Sequence, residues 1–537
     1  MPSRGDQARQ GETREAHLRL RGRRARLWRR LFAVFVFAMV SVQVHAAGSE
    51  REAALQQWLS HLAQSLQIPG SAVGLALEPL GMPVGNTAPQ AGSQPLRWLH
   101  RADEAMNPAS TIKILTSLAA LELLGPGLRW KTEWRTNAPL RGESIDGDLV
   151  LRGSGDPKFL IEDLRAVIAA LRALGLRELR GDLLLDGALY EPGVSEVAPI
   201  DGDVFQPYNV APMAADLNFR ATRLAWGGDA PLLADPPLSG FHWVDRLAKP
   251  AGPCRDASVA FRLEGFRSAR EVIVEGRWPR ACGRGERYVA IADPAEFAEA
   301  LFRAEWAAQG GVWTGSARRS DGAARTAPHL LLRWESRHTL LEVVQDVNKR
   351  SNNLLARHLW LQLSAGGVSP AAPSGQPAAP NGWPAAVSGQ LAAPSGRPAA
   401  VSASTERVAG WLAGRGVKLT SLTVENGSGL SRLERISARD LNRILRLAQE
   451  LPSAEAFRDS LPLAGVDGTM ERRITEQGFR GRLWLKTGSL NEVRALSGYV
   501  EARSGTRYAL SLLINHPKAP AARQAIDALL RIIVAAG

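Results

Sequence analysis

Helical periodicity is strong at both ends of this chain and is interrupted for roughly two hundred residues between them. That interruption limits the available folds more than any other feature. "EREAALQQWLSHLAQSL" (Glu50–Leu66) repeats its apolar residues at helical spacing, and "GSAVGLALEPL" after it reads as a strand. Asn107-Pro108-Ala109 marks a turn, and Ser110 to Leu124 reads as a helix closed by Gly125-Pro126. From about Trp130 the texture changes to short strands with Gly-Asp turns. "GDLVLRG" and "GDLLLDG" bracket a helical stretch from Leu160 to Leu174, a strand–helix–strand unit. "TLLEVVQDVNKRSNNLLARHLWLQL" (Thr339–Leu363) restores helical periodicity over its whole length. "GRLWLKTGSL", "ALSGYVEA" and "RYALSLLIN" then read as adjacent antiparallel strands, followed by a helix from Ala519 to Val534. The pattern predicts an α+β fold in which residues 131–334, one or two inserted domains, divide residues 47–130 from residues 335–537.

A length of 537 residues independently requires more than one core. The net charge of +13 suggests a nucleic-acid binder only until it is mapped. Residues 1–30 hold ten arginines against Asp6, Glu12 and Glu15, about half of the excess. No basic stripe interleaved with aromatics is left elsewhere, so no nucleic-acid partner is expected. The basic head runs into "LFAVFVFAMV" and Val44-His45-Ala46, so residues 1–46 read as a signal peptide of an exported, periplasmic protein, with an uncleaved anchor as the alternative. Cys254 and Cys282 are the only cysteines and in that compartment are candidates for a disulfide; two buried free thiols are the alternative. No His or Cys cluster has metal-ligand spacing, and neither metal nor cofactor is expected. A period-seven repeat (PAAPSGQ, PAAPNGW, PAAVSGQ, LAAPSGR, PAAVSAS) runs from Pro370 to Ser404 and fills most of a Pro/Ala/Gly/Ser-rich stretch, residues 366–404. Its composition builds no core, and it is expected to be a disordered surface insertion.

Chemistry is carried by scarce residues. Only eight of the 66 basic residues are lysine. Where any cation serves, this chain uses Arg, so a Lys marks a position that needs something Arg cannot do, such as losing a proton. One of the eight lies in Ser110-x-x-Lys113 at a predicted helix start. Spacing i to i+3 puts both side chains on one face, and the helix terminus favours negative charge on the serine oxygen. A serine three before a lysine occurs roughly once by chance in such a chain, so alone it says little. Ser351-x-Asn353, within the predicted helix, is equally weak alone, since a helix N-cap serine explains it. Lys486-Thr487-Gly488, at the end of an apolar strand, has a chance expectation of roughly a few hundredths. Its glycine lets a substrate backbone approach the strand edge.

In this order, S-x-x-K, S-x-N and K-T-G resemble the motif set of active-site-serine penicillin-recognising enzymes. "MNPASTIKILTSLAAL", "GDLVLRGSGDPKF", "QPYNVAPMAADLN", "NKRSNNLLARHL", "NGSGLSR", "LPLAGVDGT" and "LKTGSL" extend the resemblance. It points to the D-alanyl-D-alanine carboxypeptidase/endopeptidase branch, the class C low-molecular-mass penicillin-binding proteins. Asn426 stands where an Asp usually precedes Gly-Ser-Gly, and Asn352 where Asp is common in S-x-N. The resemblance implies a β-lactamase/transpeptidase-like domain, an antiparallel sheet flanked by helices. It also implies an acyl-enzyme route on peptidoglycan stem peptides and cross-links, with acylation by β-lactam antibiotics. Ser110 would be the nucleophile, Lys113 its base, and Ser351 a proton relay. Asn353 would bind the substrate amide, Lys486 and Thr487 the terminal carboxylate, and the N–H groups of Ser110 and Ser489 the oxyanion. Self-association into a homo-oligomer stays open.

Three other readings compete. A Ser-His-Asp hydrolase is disfavoured by the lack of any G-x-S-x-G. A β-lactamase of the same fold would need a fast deacylating group, and none is identifiable. A non-catalytic peptidoglycan-binding envelope protein would have no reason to keep Lys113 and Lys486 amid so much Arg.

Overall fold

The computed structural model describes residues 48–81, 95–194, 199–227, 231–266, 269–365 and 398–536. The expected signal peptide, residues 1–46, and most of the period-seven repeat lie outside the described residues.

A five-stranded antiparallel sheet organises the site. Its order is Leu483–Leu490, Val493–Glu501, Arg507–Asn515, Val73–Pro79 and Trp98–His100. Strand alternation sorts the side chains to two sides. Leu75, Leu77, Leu510, Leu512 and Ile514 face one side, where they pack with Trp58 and Leu62 of the helix Gly48–Ser65 and with Ile526, Leu529 and Ile533 of Arg523–Ala536. Ala76, Ala495, Ala509 and Leu513 face the other, against the helices Lys113–Leu124, Leu340–Lys349, Asn353–Gln362 and Ala438–Glu450. Small residues on that second side let a helix come close. Asn442 of Ala438–Glu450 donates to the Ala509 carbonyl at 3.3 Å and accepts from the Ser511 hydroxyl at 2.9 Å. Each large apolar side chain buried this way contributes roughly 1.5–3 kcal/mol of transfer free energy.

Between the two halves of this unit lies a second five-stranded sheet, in the order Ala317–Arg319, Leu183–Asp186, Leu149–Arg152, Lys131–Thr136 and His329–Glu335. The strands Leu149–Arg152 and Leu183–Asp186 are parallel and joined through the helix Ile161–Ala173, the strand–helix–strand unit read from the sequence. Three three-stranded sheets share one apolar core with it, a core rich in Trp and Phe. Cys254 and Cys282 form a disulfide across the open end of the hairpin Ser258–Phe266 and Ala269–Arg277.

Two expectations need correction. The segment Thr339–Leu363 is not one helix: it breaks between Lys349 and Asn353, with Ser351 at φ +57°. Short polar side chains compete with helical hydrogen bonds, and Asn352 ends the first helix by capping the second, accepting from the Leu355 N–H at 3.0 Å. The repeat is also not disordered as far as Ser404. Its last unit is ordered: Ala399 is buried and donates to the Leu189 carbonyl at 2.7 Å, and Val401–Ala413 is a helix. That unit carries no Pro or Gly after Pro398, and the Ser364 hydroxyl lies 3.1 Å from the Ala400 N–H it accepts from.

Candidate active site

Ser110 lies in a 3-10 turn, Ala109–Ile112, that runs directly into the helix Lys113–Leu124. The residue before it, Ala109, has φ +43°, in the left-handed region that side chains avoid. Asn107 holds this strained turn. Its side-chain oxygen accepts from the Ala109 N–H at 2.9 Å, and its amide donates to the Ser431 carbonyl at 2.9 Å. Asn515 at the end of a central strand clasps the Asn107 backbone on both sides, at 2.8 and 3.0 Å.

Lys113 is fully buried. Its ammonium donates to Ser110 Oγ at 2.9 Å, to Asn353 Oδ1 at 2.7 Å and to the Ser428 carbonyl. Lys486, equally buried, donates to Ser351 Oγ at 2.8 Å and to the Thr487 carbonyl at 2.8 Å. Burial pulls the Lys113 ammonium well below the usual lysine range; nearby Lys486 adds to this, and Glu434 acts in the opposite direction. Burial brings Lys486 down to about 7. Both side chains therefore give up a proton more readily than an ordinary lysine.

The strand Leu483–Leu490 lies at the sheet's edge. Pro462–Ala464 covers its outer side as far as Leu485, which donates to the Pro462 carbonyl at 2.8 Å. Beyond that point the strand runs against the serine turn. A Cβ on Gly488 would sit 2.8 Å from the Pro108 carbonyl oxygen, so only glycine allows this approach. Thr487 Oγ1 donates to Thr469 Oγ1 at 2.8 Å, and Ser489 is exposed. Gly429, at φ +80°, approaches from the other side: a Cβ there would lie 2.0 Å from the Ala109 carbonyl oxygen and 2.6 Å from the Ser110 nitrogen. Its lack of a side chain leaves the Ser110 N–H uncovered.

Several contributors had no signal as site residues. Ser428 acts through a backbone carbonyl, which any residue carries. Tyr208, from the inserted region, reaches the rim, where its carbonyl accepts from Asn353 Nδ2 at 3.4 Å. Asn107 and Asn515 lie 408 residues apart and look like ordinary turn residues in sequence. Among the described residues, no group of three or more His, Cys, Asp or Glu side chains is placed to hold a metal ion.

A sheet edge, a helix-borne serine–lysine pair and a second serine–lysine pair, set between a sheet layer and a helical layer, define the class of transpeptidase-like folds. The chain belongs to the D-Ala-D-Ala carboxypeptidase 3 (S13) family, whose model matches residues 74–379 and 378–533. It is 27% identical over 473 residues to the D-alanyl-D-alanine carboxypeptidase of Actinomadura sp. strain R39, covering 79% of this chain and 76% of that protein. Identity to the D-alanyl-D-alanine carboxypeptidase DacB of Haemophilus influenzae is 22% over 450 residues, covering 81% of this chain and 86% of that one. The crystal structure of penicillin-binding protein 4 from Haemophilus influenzae has the same fold. Its TM-score is 0.66 at 19% identity, covering 89% of this chain and 97% of the other.

Proposed function

We propose that this chain cleaves the D-alanyl-D-alanine ends of peptidoglycan stem peptides, and the peptide cross-links between stems, through an acyl-enzyme on Ser110. The observation that carries the reading is the buried Lys113 ammonium 2.9 Å from Ser110 Oγ. A lysine that burial drives toward its neutral form can accept the hydroxyl proton as Ser110 attacks the carbonyl. The tetrahedral oxyanion would lie between the N–H groups of Ser110 and Ser489, donors already fixed in place. Ser351, bonded to Lys486, would pass a proton to the leaving amine. Asn353 would bind the acyl-side amide, and Lys486 with Thr487 the terminal carboxylate. The same attack on a strained lactam gives a stable penicilloyl-enzyme. Action on peptidoglycan places the chain in the exported, periplasmic compartment.

The test is digestion of purified peptidoglycan and analysis of the released muropeptides. Loss of terminal D-alanine reports carboxypeptidase action, and conversion of dimers to monomers reports endopeptidase action. Both are expected. If enzyme that is labelled by fluorescent penicillin yields neither, the reading is wrong; if it turns the label over within seconds, the chain is a β-lactamase.

A further inference from the structure

The most unusual buried charge near Ser110 is the carboxylate of Glu434. It is fully buried, and its Oε1 accepts from the backbone N–H groups of Asn426 at 3.1 Å and Gly427 at 2.9 Å. Its Oε2 is buried with no hydrogen-bond partner. The turn that it grips leads straight to the reacting groups. The Gly427 carbonyl accepts from Thr116 Oγ1 at 2.6 Å, and the Ser428 carbonyl accepts from the Lys113 ammonium. Thr116 and Lys113 lie on the same face of the serine helix, so residues 426–428 are clamped between that helix and Glu434. Asn426 stiffens the clamp: its side-chain oxygen accepts from the Ser428 N–H at 2.9 Å and from the Ser428 hydroxyl at 2.6 Å.

A buried carboxylate is costly to strip of water unless charge or hydrogen bonds offset the loss. A glutamine would satisfy the same two N–H groups at less cost. What glutamine lacks is the negative charge. Position 426 is also where this chain departs from the resemblance noted in its sequence, having Asn where an Asp is usual. Asn426 and Glu434 touch, so a charge missing at one position is present one hydrogen bond away.

We propose that Glu434 is a positioning residue of the Ser110–Lys113 centre: it fixes the 426–428 turn whose Ser428 carbonyl holds the Lys113 ammonium, and it supplies the negative charge that residue 426 does not. The other charged groups facing Lys113 are Lys486 from the edge strand and Arg357 from the helix Asn353–Gln362. Burial, and to a smaller extent Glu425, push the Glu434 carboxyl above its usual range, while its two backbone N–H bonds and Lys113 itself act to keep it ionised. With two cations facing it, Lys113 without Glu434 would be too weak a base to take the serine proton efficiently. The inference rests on the acyl-enzyme reading for its consequence, but its test is independent of it.

The test uses the full chain labelled with ¹³C at lysine Cε, whose shift follows protonation of the ammonium. With eight lysines the spectrum is sparse, and Lys113→Arg assigns the signal. In Glu434→Gln the Lys113 midpoint should fall by about one pH unit, as expected when one nearby charge is removed. In Asn426→Asp it should rise, and in the double variant it should return close to wild type. The opposite signs separate an electrostatic role from a packing role, which would move both variants the same way. A midpoint unchanged in Glu434→Gln, or unchanged in Asn426→Asp, overturns the proposal. If Glu434→Gln does not fold, Asn426→Asp alone decides. Acylation by penicillin should slow about tenfold in Glu434→Gln and recover in the double variant. Wild-type protein that is never acylated would count against the acyl-enzyme reading and leave the titration result standing.

Discussion

The inserted region and the active site treat buried charge in opposite ways. In the insertion, several buried carboxylates are paired with arginines: Glu305 with Arg165 at 2.8 Å, Glu296 with Arg270 at 2.7 Å, and Glu133 with Arg135, Arg152 and Arg333. The guanidinium fork stays charged and grips a carboxylate through two bonds, which locks geometry. At the site the two buried lysines have hydroxyls, amides and carbonyls as hydrogen-bond partners, and among the described residues neither Lys113 nor Lys486 has a carboxylate in ion-pair range. Such neutral partners let a proton leave. Charge fixes structure in one region and is kept adjustable in the other.

Four experiments can break or sharpen this contrast. Lys113→Arg puts the insertion's solution into the site. It should keep the melting temperature close to wild type and slow acylation by at least 10²–10⁴-fold, the usual contribution of a general base. Acylation within about tenfold of wild type would mean that Lys113 is not the base. Next, Gly429→Ala leaves every charge in place and disturbs only the serine turn. A loss of about 10²-fold in acylation is expected from misplacing the nucleophile, and a normal rate would show that the turn adapts. Third, Glu296→Gln breaks an insertion pair and should cost about 1–3 kcal/mol of stability in denaturant unfolding while activity per folded molecule stays unchanged. A large change in kcat would show that the two regions are not separate in function.

The smallest effect is one of pH. Lys486 at about 7 is charged below that value and neutral above it. KM for a peptide with a free terminal carboxylate should therefore rise several-fold between pH 7 and 9, and the same peptide amidated at its end should show no such rise. Stability moves the opposite way. Between about 7 and the ordinary lysine value near 10.4 the unfolded chain holds a proton that folded Lys486 has lost, so stability rises with pH through that window. Lys486→Met should flatten both dependences.

How much of this was legible depended on whether the chemistry resided in a side chain of restricted type. Lysine scarcity marked Lys113 and Lys486 because nothing else explained a lysine there. Periodicity gave the strands Val493–Glu501 and Arg507–Asn515, each with a buried apolar face. It missed the break at Ser351 because the apolar residues on either side, Val347 and Leu354, keep helical spacing across it. Glu434 sits in "LSRLERIS", a stretch that reads as a solvated loop, and only the fold shows that it is buried. The ordered end of the repeat was hidden for a related reason, since Ala399 owes its burial to Leu189 and Tyr190, two hundred residues away.

The sheet pairing has a consequence for how a molecule of this chain comes to be active. Val73–Pro79 pairs locally with Trp98–His100, but it reaches the other three strands only through Arg507–Asn515, a partner more than four hundred residues further along. Closing so long a loop is slow compared with forming local structure. A partly synthesised chain already holds Ser110 and Lys113, but not Gly429 over the serine turn, nor Lys486, nor the strand that anchors Asn107. The enzyme is therefore its own timer: the proposed nucleophile is made early, and the centre that would arm it closes only when nearly the whole chain exists.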